Sequence, residues 1–175
     1  MDIQMSAPAV PKRWGIRPFL REHAAELTAV AGILAADRIS KLAAHKYLAA
    51  KSGVQLWPFF HLTYLENTGT IFGLLNGTNV FFILFTLGVL SFLAWNWREL
   101  ALQRNGRAAL TLISAGALGN LYDRIFQGYV IDFLDFRVWP VFNIADTCIC
   151  AGAALLALGL LHPAKNNDKR EEEGG

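Results

Sequence analysis

No charged residue falls between Val80 and Trp97, and two tryptophans, Trp95 and Trp97, close that stretch. An uncharged run of this length suits a membrane-spanning helix, which needs about 20 mostly apolar residues. Tryptophans collect where such a helix meets the lipid headgroups. Arg98, Arg104 and Arg107 follow at once. By the positive-inside rule this short basic loop is cytoplasmic. The rest of the chain agrees: 54% of its 175 residues are hydrophobic and only 17% are charged, against about 25% charged in an average soluble domain. The charges gather at the termini and in a few clusters. A net charge of +2, with no basic run interleaved with aromatics, gives no reason to expect a nucleic-acid partner.

Three further stretches can span. The first, about Ala24 to His45, is the most polar: Glu26 interrupts its start, and Asp37, Arg38 and Lys41 sit towards its far end. Asp37 and Lys41 are i,i+4 on one helical face, the spacing of an ion pair. The third, about Ala108 to Ile125, is rich in small residues from Ser114 to Gly119, which allow close helix packing in a membrane. The fourth runs from about Val141 to Leu161. Four spans put both termini in the cytoplasm beside the basic loop, so span count and charge rule agree. Between the first two spans, Val54 to Leu65 is aromatic and branched and holds Pro58, which reads as short strands outside the membrane. Asn67-Thr68-Gly69 follows as a turn, and Ile71 to Leu75 as a short amphipathic turn on the membrane surface. The expected fold is an all-α integral membrane protein of four transmembrane helices, with a small extracytoplasmic β-rich region between helices one and two. Residues 1–21 read as a cytoplasmic leader, 22–163 as the membrane domain and 164–175 as a disordered cytoplasmic tail.

The polar clusters at 37–41, 67–73, 120–124 and 132–146 all fall at the outer ends of the spans. Gly128 to Asp146 carries three carboxylates, Asp132, Asp135 and Asp146, in apolar surroundings. A charged group costs roughly 2.5–3.5 kcal/mol to insert at mid-bilayer, so such residues need a reason to be there. Asp132 follows the third span and Asp146 opens the fourth, and antiparallel neighbours bring such positions close. Two adjacent carboxylates share a proton, so one can activate water while the other protonates a carbonyl or leaving group. Asp135, with Arg137 close by, reads as a structural carboxylate. Asn143 lies i,i+3 from Asp146 and can orient it or grip a substrate backbone. Arg124 either binds a carbonyl or phosphate-like group or pairs with Asp123; the sequence leaves both open. Asn67 and Gly69 are equally open between a site and a plain turn. His23, His45, His61 and His162 have neither metal-ligand nor triad spacing, and Cys148 and Cys150 read as helix-packing residues. No metal or cofactor is expected. A small transporter is the rival reading, since intramembrane carboxylates also mark proton relays; the lack of an internal repeat and the placing of the polar groups at one end weigh against it.

These residues carry a resemblance. Asp37 with Lys41, Asn67-Thr68-Gly69 with Phe72, Gly119-Asn120-Leu121-Tyr122-Asp123-Arg124, Val130-Ile131-Asp132-Phe133 and Phe142-Asn143-Ile144-Ala145-Asp146 resemble, in order, the motifs of the lipoprotein signal peptidase family, also called signal peptidase II. The resemblance covers about residues 24–162. It implies a monomeric aspartyl peptidase of the bacterial inner membrane, with four transmembrane helices, no metal and its active site near the outer face. Its substrates would be prolipoproteins, cut just before a cysteine that already carries diacylglycerol, with membrane lipids around them. It further implies that Asp132 and Asp146 are the catalytic pair and that Asn67, Gly69, Asn120, Arg124 and Asn143 line or order the substrate site. Asp37, Lys41 and Asp123 would give structural support. Thr70-Ile71 departs from the Ala-Ala usual in the family.

Overall fold

The computed structural model describes residues 20–51, 53–69 and 78–161. The leader up to residue 19, the stretch 70–77 with its expected amphipathic turn, and the tail from His162 lie outside the described residues. Four long helices dominate: α1 (Ala24–Leu48), α2 (Thr78–Trp95), α4 (Gly106–Phe126) and α5 (Ile144–Leu161). A short helix, α3 (Trp97–Ala101), fills the loop between α2 and α4. Strands β1 (Val54–Trp57) and β2 (Phe60–Asn67) follow α1, and β3 (Val130–Asp135) links α4 to α5. By length and composition Ile144–Leu161 is apolar enough to cross a membrane, and Asn79–Trp95 is a shorter apolar helix.

The central helix is α4, which packs on α1, α2 and α5. Its small residues explain how. A Cβ added at Gly116 would lie 2.3 Å from the Ala145 carbonyl oxygen of α5, and one at Gly152 of α5 would lie 2.7 Å from the Ala109 carbonyl oxygen of α4. The two backbones therefore touch, the close approach that small residues allow between helices. The polar first helix also makes sense in three dimensions. Arg107 of α4 pairs with Glu26, Asp37 with Lys41, and Arg38 with Asp123. The buried residues of α1, Asp37, Lys41, Ala44 and Leu48, form one stripe at i, i+4, i+7 and i+11.

The sheet corrects the sequence reading. Its order is β1-β2-β3, all antiparallel, so β-structure is not confined to the region between the first two helices, and the fold is not purely helical. The segment Val130–Asp135, expected as part of a connector, is the third strand. It pairs with β2 through Leu65↔Asp132, Glu66↔Ile131 and Asn67↔Val130. Its branched and aromatic residues favour an extended chain, and β2 offers it an open edge. Alternation along β3 sends Ile131 and Phe133 into a core with Ala44 and Leu48 at the end of α1. Asp132, between them, is turned to the opposite face.

Candidate active site

Asp132 is delivered by β3, and Asp146 by the first turn of α5. The start of α5 is set locally. Asn143 precedes α5: its Oδ1 accepts the Asp146 backbone N–H at 2.9 Å, while the Asp146 Oδ2 accepts the Asn143 N–H at 3.3 Å. This reciprocal arrangement is a capping box, so the carboxylate at 146 belongs to the start of the helix. Asp37 completes the cap from α1, accepting the Ala145 N–H at 3.0 Å.

Asn143 also joins the two aspartates. Its side-chain amide donates to Asp132 Oδ1 at 2.6 Å. The other oxygen of Asp132 accepts the Asn67 amide at 2.8 Å, and the Gly69 N–H fixes Asn67 by donating to its Oδ1 at 2.9 Å. Asp146 Oδ1 accepts the Asn120 amide at 2.7 Å. Gly69 adopts φ +74°, and a Cβ there would fall 2.3 Å from the Phe82 ring; the turn is built for glycine by both conformation and space. Asp132 is 1% exposed. Burial pushes its carboxyl up to about 6, with the nearby Asp146 charge adding to this and the Asn67 and Asn143 amides opposing it.

Behind them lies a buried ionic cluster. Lys41 Nζ sits 2.8 Å from Asp37 Oδ2 and 2.7 Å from Asp123 Oδ2, and donates to Asn120 Oδ1 at 2.9 Å. Arg38 reaches Asp123 Oδ1 at 3.2 Å, and Gln127 donates to the same oxygen at 2.8 Å. The cations that hold Asp123 are thus Lys41 and Arg38. Arg124 points elsewhere: its guanidinium lies over the Phe82 ring, 4.9 Å from the centroid, and its Nε is buried without a hydrogen-bond partner among the described residues. Arg124, Asn120 and Asp146 line a cavity of about 280 Å³ whose other walls include Phe82 and Phe85 of α2 and Ile149 of α5. A guanidinium with an unsatisfied Nε and a carboxylate thus share a mostly apolar cavity.

The structure places all ten of the residues expected to act in or support the site. Asp132, Asp146, Asn67, Asn120 and Asn143 form one hydrogen-bonded centre. Gly69 braces it, Arg124 faces the adjoining chamber, and Asp37, Lys41 and Asp123 form the cluster behind. Asp135 stands apart, accepting the Thr63 hydroxyl at 3.0 Å and the Arg137 N–H at 2.8 Å. The Arg137 N–H holds its carboxyl below the usual range despite its burial. Sequence reasoning missed Phe82, which packs on both Gly69 and Arg124. It also missed Asn79, whose amide donates to the Arg124 carbonyl at 3.0 Å. Neither had a local signal, because both act across the bundle.

Fold and site together define a helical-bundle protein with a paired-carboxylate centre built at one end of the bundle. The chain belongs to the signal peptidase (SPase) II family, whose model matches residues 29–162. It is 44% identical over 138 residues to a lipoprotein signal peptidase of Halothermothrix orenii, covering 78% of this chain and 94% of that one. It is 40% identical over 159 residues to a lipoprotein signal peptidase of Alteromonas mediterranea, covering 85% and 84%. Two solved structures described as bacterial membrane enzymes are similar to it. One has a TM-score of 0.72 at 29% identity, covering 81% of this chain and 95% of that one; the other has 0.69 at 27%, covering 87% and 95%.

Proposed function

We propose that this chain is an intramembrane aspartyl endopeptidase that removes the signal peptide from diacylglyceryl-modified prolipoproteins, cutting just before the lipidated cysteine. In this reading α1, α2, α4 and α5 cross the bacterial inner membrane as a monomer. Both termini, with the leader 1–21 and the tail 164–175, lie in the cytoplasm, and residues 22–163 form the membrane domain. The observation that carries the reading is the joining of Asp132 and Asp146 through one residue, Asn143.

The chemistry follows from that pair. One carboxylate takes a proton from water as the oxygen attacks the scissile carbonyl, while the protonated partner gives its proton to the carbonyl oxygen. The tetrahedral diol then collapses: a proton passes to the leaving amine of the cysteine, the C–N bond breaks, and the signal peptide leaves as a carboxylic acid. Asn67, Asn120 and Asn143 hold the carboxylates in place, and Arg124 offers its free N–H to a substrate carbonyl. A site at the helix ends also meets the scissile bond without withdrawing the acyl chains from lipid, which would cost about 0.8 kcal/mol per CH₂.

The test is cleavage of a lipidated precursor, followed by mass. Asp132→Asn and Asp146→Asn are expected to abolish it, and Asp135→Asn to keep substantial activity. Full activity in either of the first two refutes the role given to that residue, and complete loss in a folded Asp135→Asn protein would mean that a third carboxylate takes part.

A further inference from the structure

Lys41 is wholly buried, and its ammonium has three N–H donors and no acceptor. Three acceptors surround it: Asp37 Oδ2 at 2.8 Å, Asp123 Oδ2 at 2.7 Å and Asn120 Oδ1 at 2.9 Å. Two of these are carboxylates. With Arg38 also on Asp123, the cluster balances two acids against two cations. Charge balance alone does not call for the third ligand. Yet the ammonium makes its hydrogen bond to Asn120, whose other end touches Asp146.

We propose that Lys41 is a positioning residue for the carboxylate pair: its ammonium dictates the orientation of the Asn120 amide, so that this amide turns its NH₂ group to Asp146, while the helix cap orients Asn143 towards Asp132. This rests on the aspartyl-peptidase reading above. A primary amide can sit either way round, and its two ends are nearly alike in shape. An ammonium accepts nothing, so the oxygen of Asn120 must face Lys41 and its nitrogen must face Asp146 Oδ1, 2.7 Å away. The same Asn120 oxygen accepts the Asn143 nitrogen at 3.3 Å. That nitrogen makes its short bond, 2.6 Å, to Asp132 Oδ1, and the Asn143 oxygen takes the Asp146 N–H. The fixed cation therefore orders Asn120, the Asp146 N–H orders Asn143, and each aspartate receives a side-chain donor. A reversed Asn120 would set oxygen against oxygen at Asp146. Gly119 makes the reach possible, because a Cβ there would stand 2.9 Å from Asp37 Oδ2 and force α1 away from α4. The charged groups near the pair are Asp37, Arg38 and Lys41 of α1 and Asp123 and Arg124 of α4.

The test uses the purified full-length protein in detergent with a lipidated precursor. Lys41→Met is expected to lower kcat on the order of 10- to 100-fold, as for losing a hydrogen bond to a charged group, with little change in KM. The acid limb of the rate profile should move to higher pH. Asn120→Ala added to Lys41→Met should cost less than about threefold more, because the amide has already lost its orientation. If Lys41→Met alone does not fold, Lys41→Met with Asp37→Asn carries the same cycle, since Asp123 keeps Arg38 and no carboxylate in the cluster is left unpaired. An unmoved acid limb overturns the proposal. So do losses from Lys41→Met and Asn120→Ala that multiply in the double variant, which is the signature of a merely structural lysine. An active Asp132→Asn protein would refute the aspartyl reading itself, whatever the Lys41 cycle shows.

Discussion

Replacing Asn143 separates two jobs that one side chain performs. Its amide nitrogen donates to Asp132 at 2.6 Å, and its oxygen caps α5 by accepting the Asp146 N–H at 2.9 Å. Asn143→Ala loses both. The cap is worth about 1 kcal/mol of stability. The bond to a carboxylate is worth about 1.5–3 kcal/mol, which becomes roughly a 10- to 150-fold loss in rate if it is made in the transition state. The amide also holds down an acid that burial has raised to about 6. Its loss lets Asp132 rise further, so the acid limb of the rate profile moves to higher pH. Asn143→Ser keeps a capping oxygen and lacks the long amide. It should recover most of the thermal stability and little of the rate. The assay is kcat across pH on a lipidated precursor, beside thermal unfolding in the same detergent. Full activity in Asn143→Ala, or full recovery of rate in Asn143→Ser, would refute the claim that this amide works through Asp132.

Two more expectations follow from the same geometry. Asp132 is buried with a folded value near 6 against 3.8 for the free group, so its ionised form opposes folding above that range by up to about 3 kcal/mol. Asp132→Asn should therefore be inactive yet more resistant to unfolding than the parent above about pH 6, and the advantage should fade as pH drops towards 4; an advantage that grows with acid would reverse the sign and sink the argument. Gly69→Ala must hold a left-handed backbone, at about 1–2 kcal/mol, with a methyl group 2.3 Å from the Phe82 ring. Its activity should fall and recover in part with Phe82→Leu, whereas an unimpaired single variant would show that the turn has room to spare.

Much of the site was legible because helices write their neighbours at fixed spacing. Asp37 and Lys41 were placed on one face by i,i+4 and do pair. Asn143 and Asp146 were placed together by i,i+3, and the capping box shows why. Arg124 and Asp123 were left open, although adjacent residues on a helix point about 100° apart; Asp123 faces α1 and Arg124 faces α2. What stayed hidden is non-local. Asp132 lies on a strand only because β2 offers an edge, and the register Leu65↔Asp132 joins segments far apart in the chain. Next to an apolar helix, six residues rich in Ile, Phe and Leu look like more of the same. Lys41 was read as half of an ion pair because nothing in its own segment reveals Asn120 or Asp123 beside its ammonium.

Under the proposed function, the touching backbones of α4 and α5 bear on how a bulky lipidated substrate finds room. At Gly116, Gly119 and Gly152 there is no slack for even one methyl group, so α1, α4 and α5 pack as one unit that carries Asp146, with Asp132 held against it from β3 through Asn143. The fourth wall is different. Among the described side chains of α2, Leu93 is buried while Val80, Phe81, Leu84, Phe85 and Phe92 stand exposed. This helix is pinned near its ends, by Asn79 on Arg124 and by Leu93 on Leu110, and faces the chamber with aromatic rings between. Rings give way far more cheaply than a welded backbone seam. In the proposed peptidase, accommodation of different signal sequences thus falls to this exposed wall, and the chemistry does not have to be re-aligned for each one.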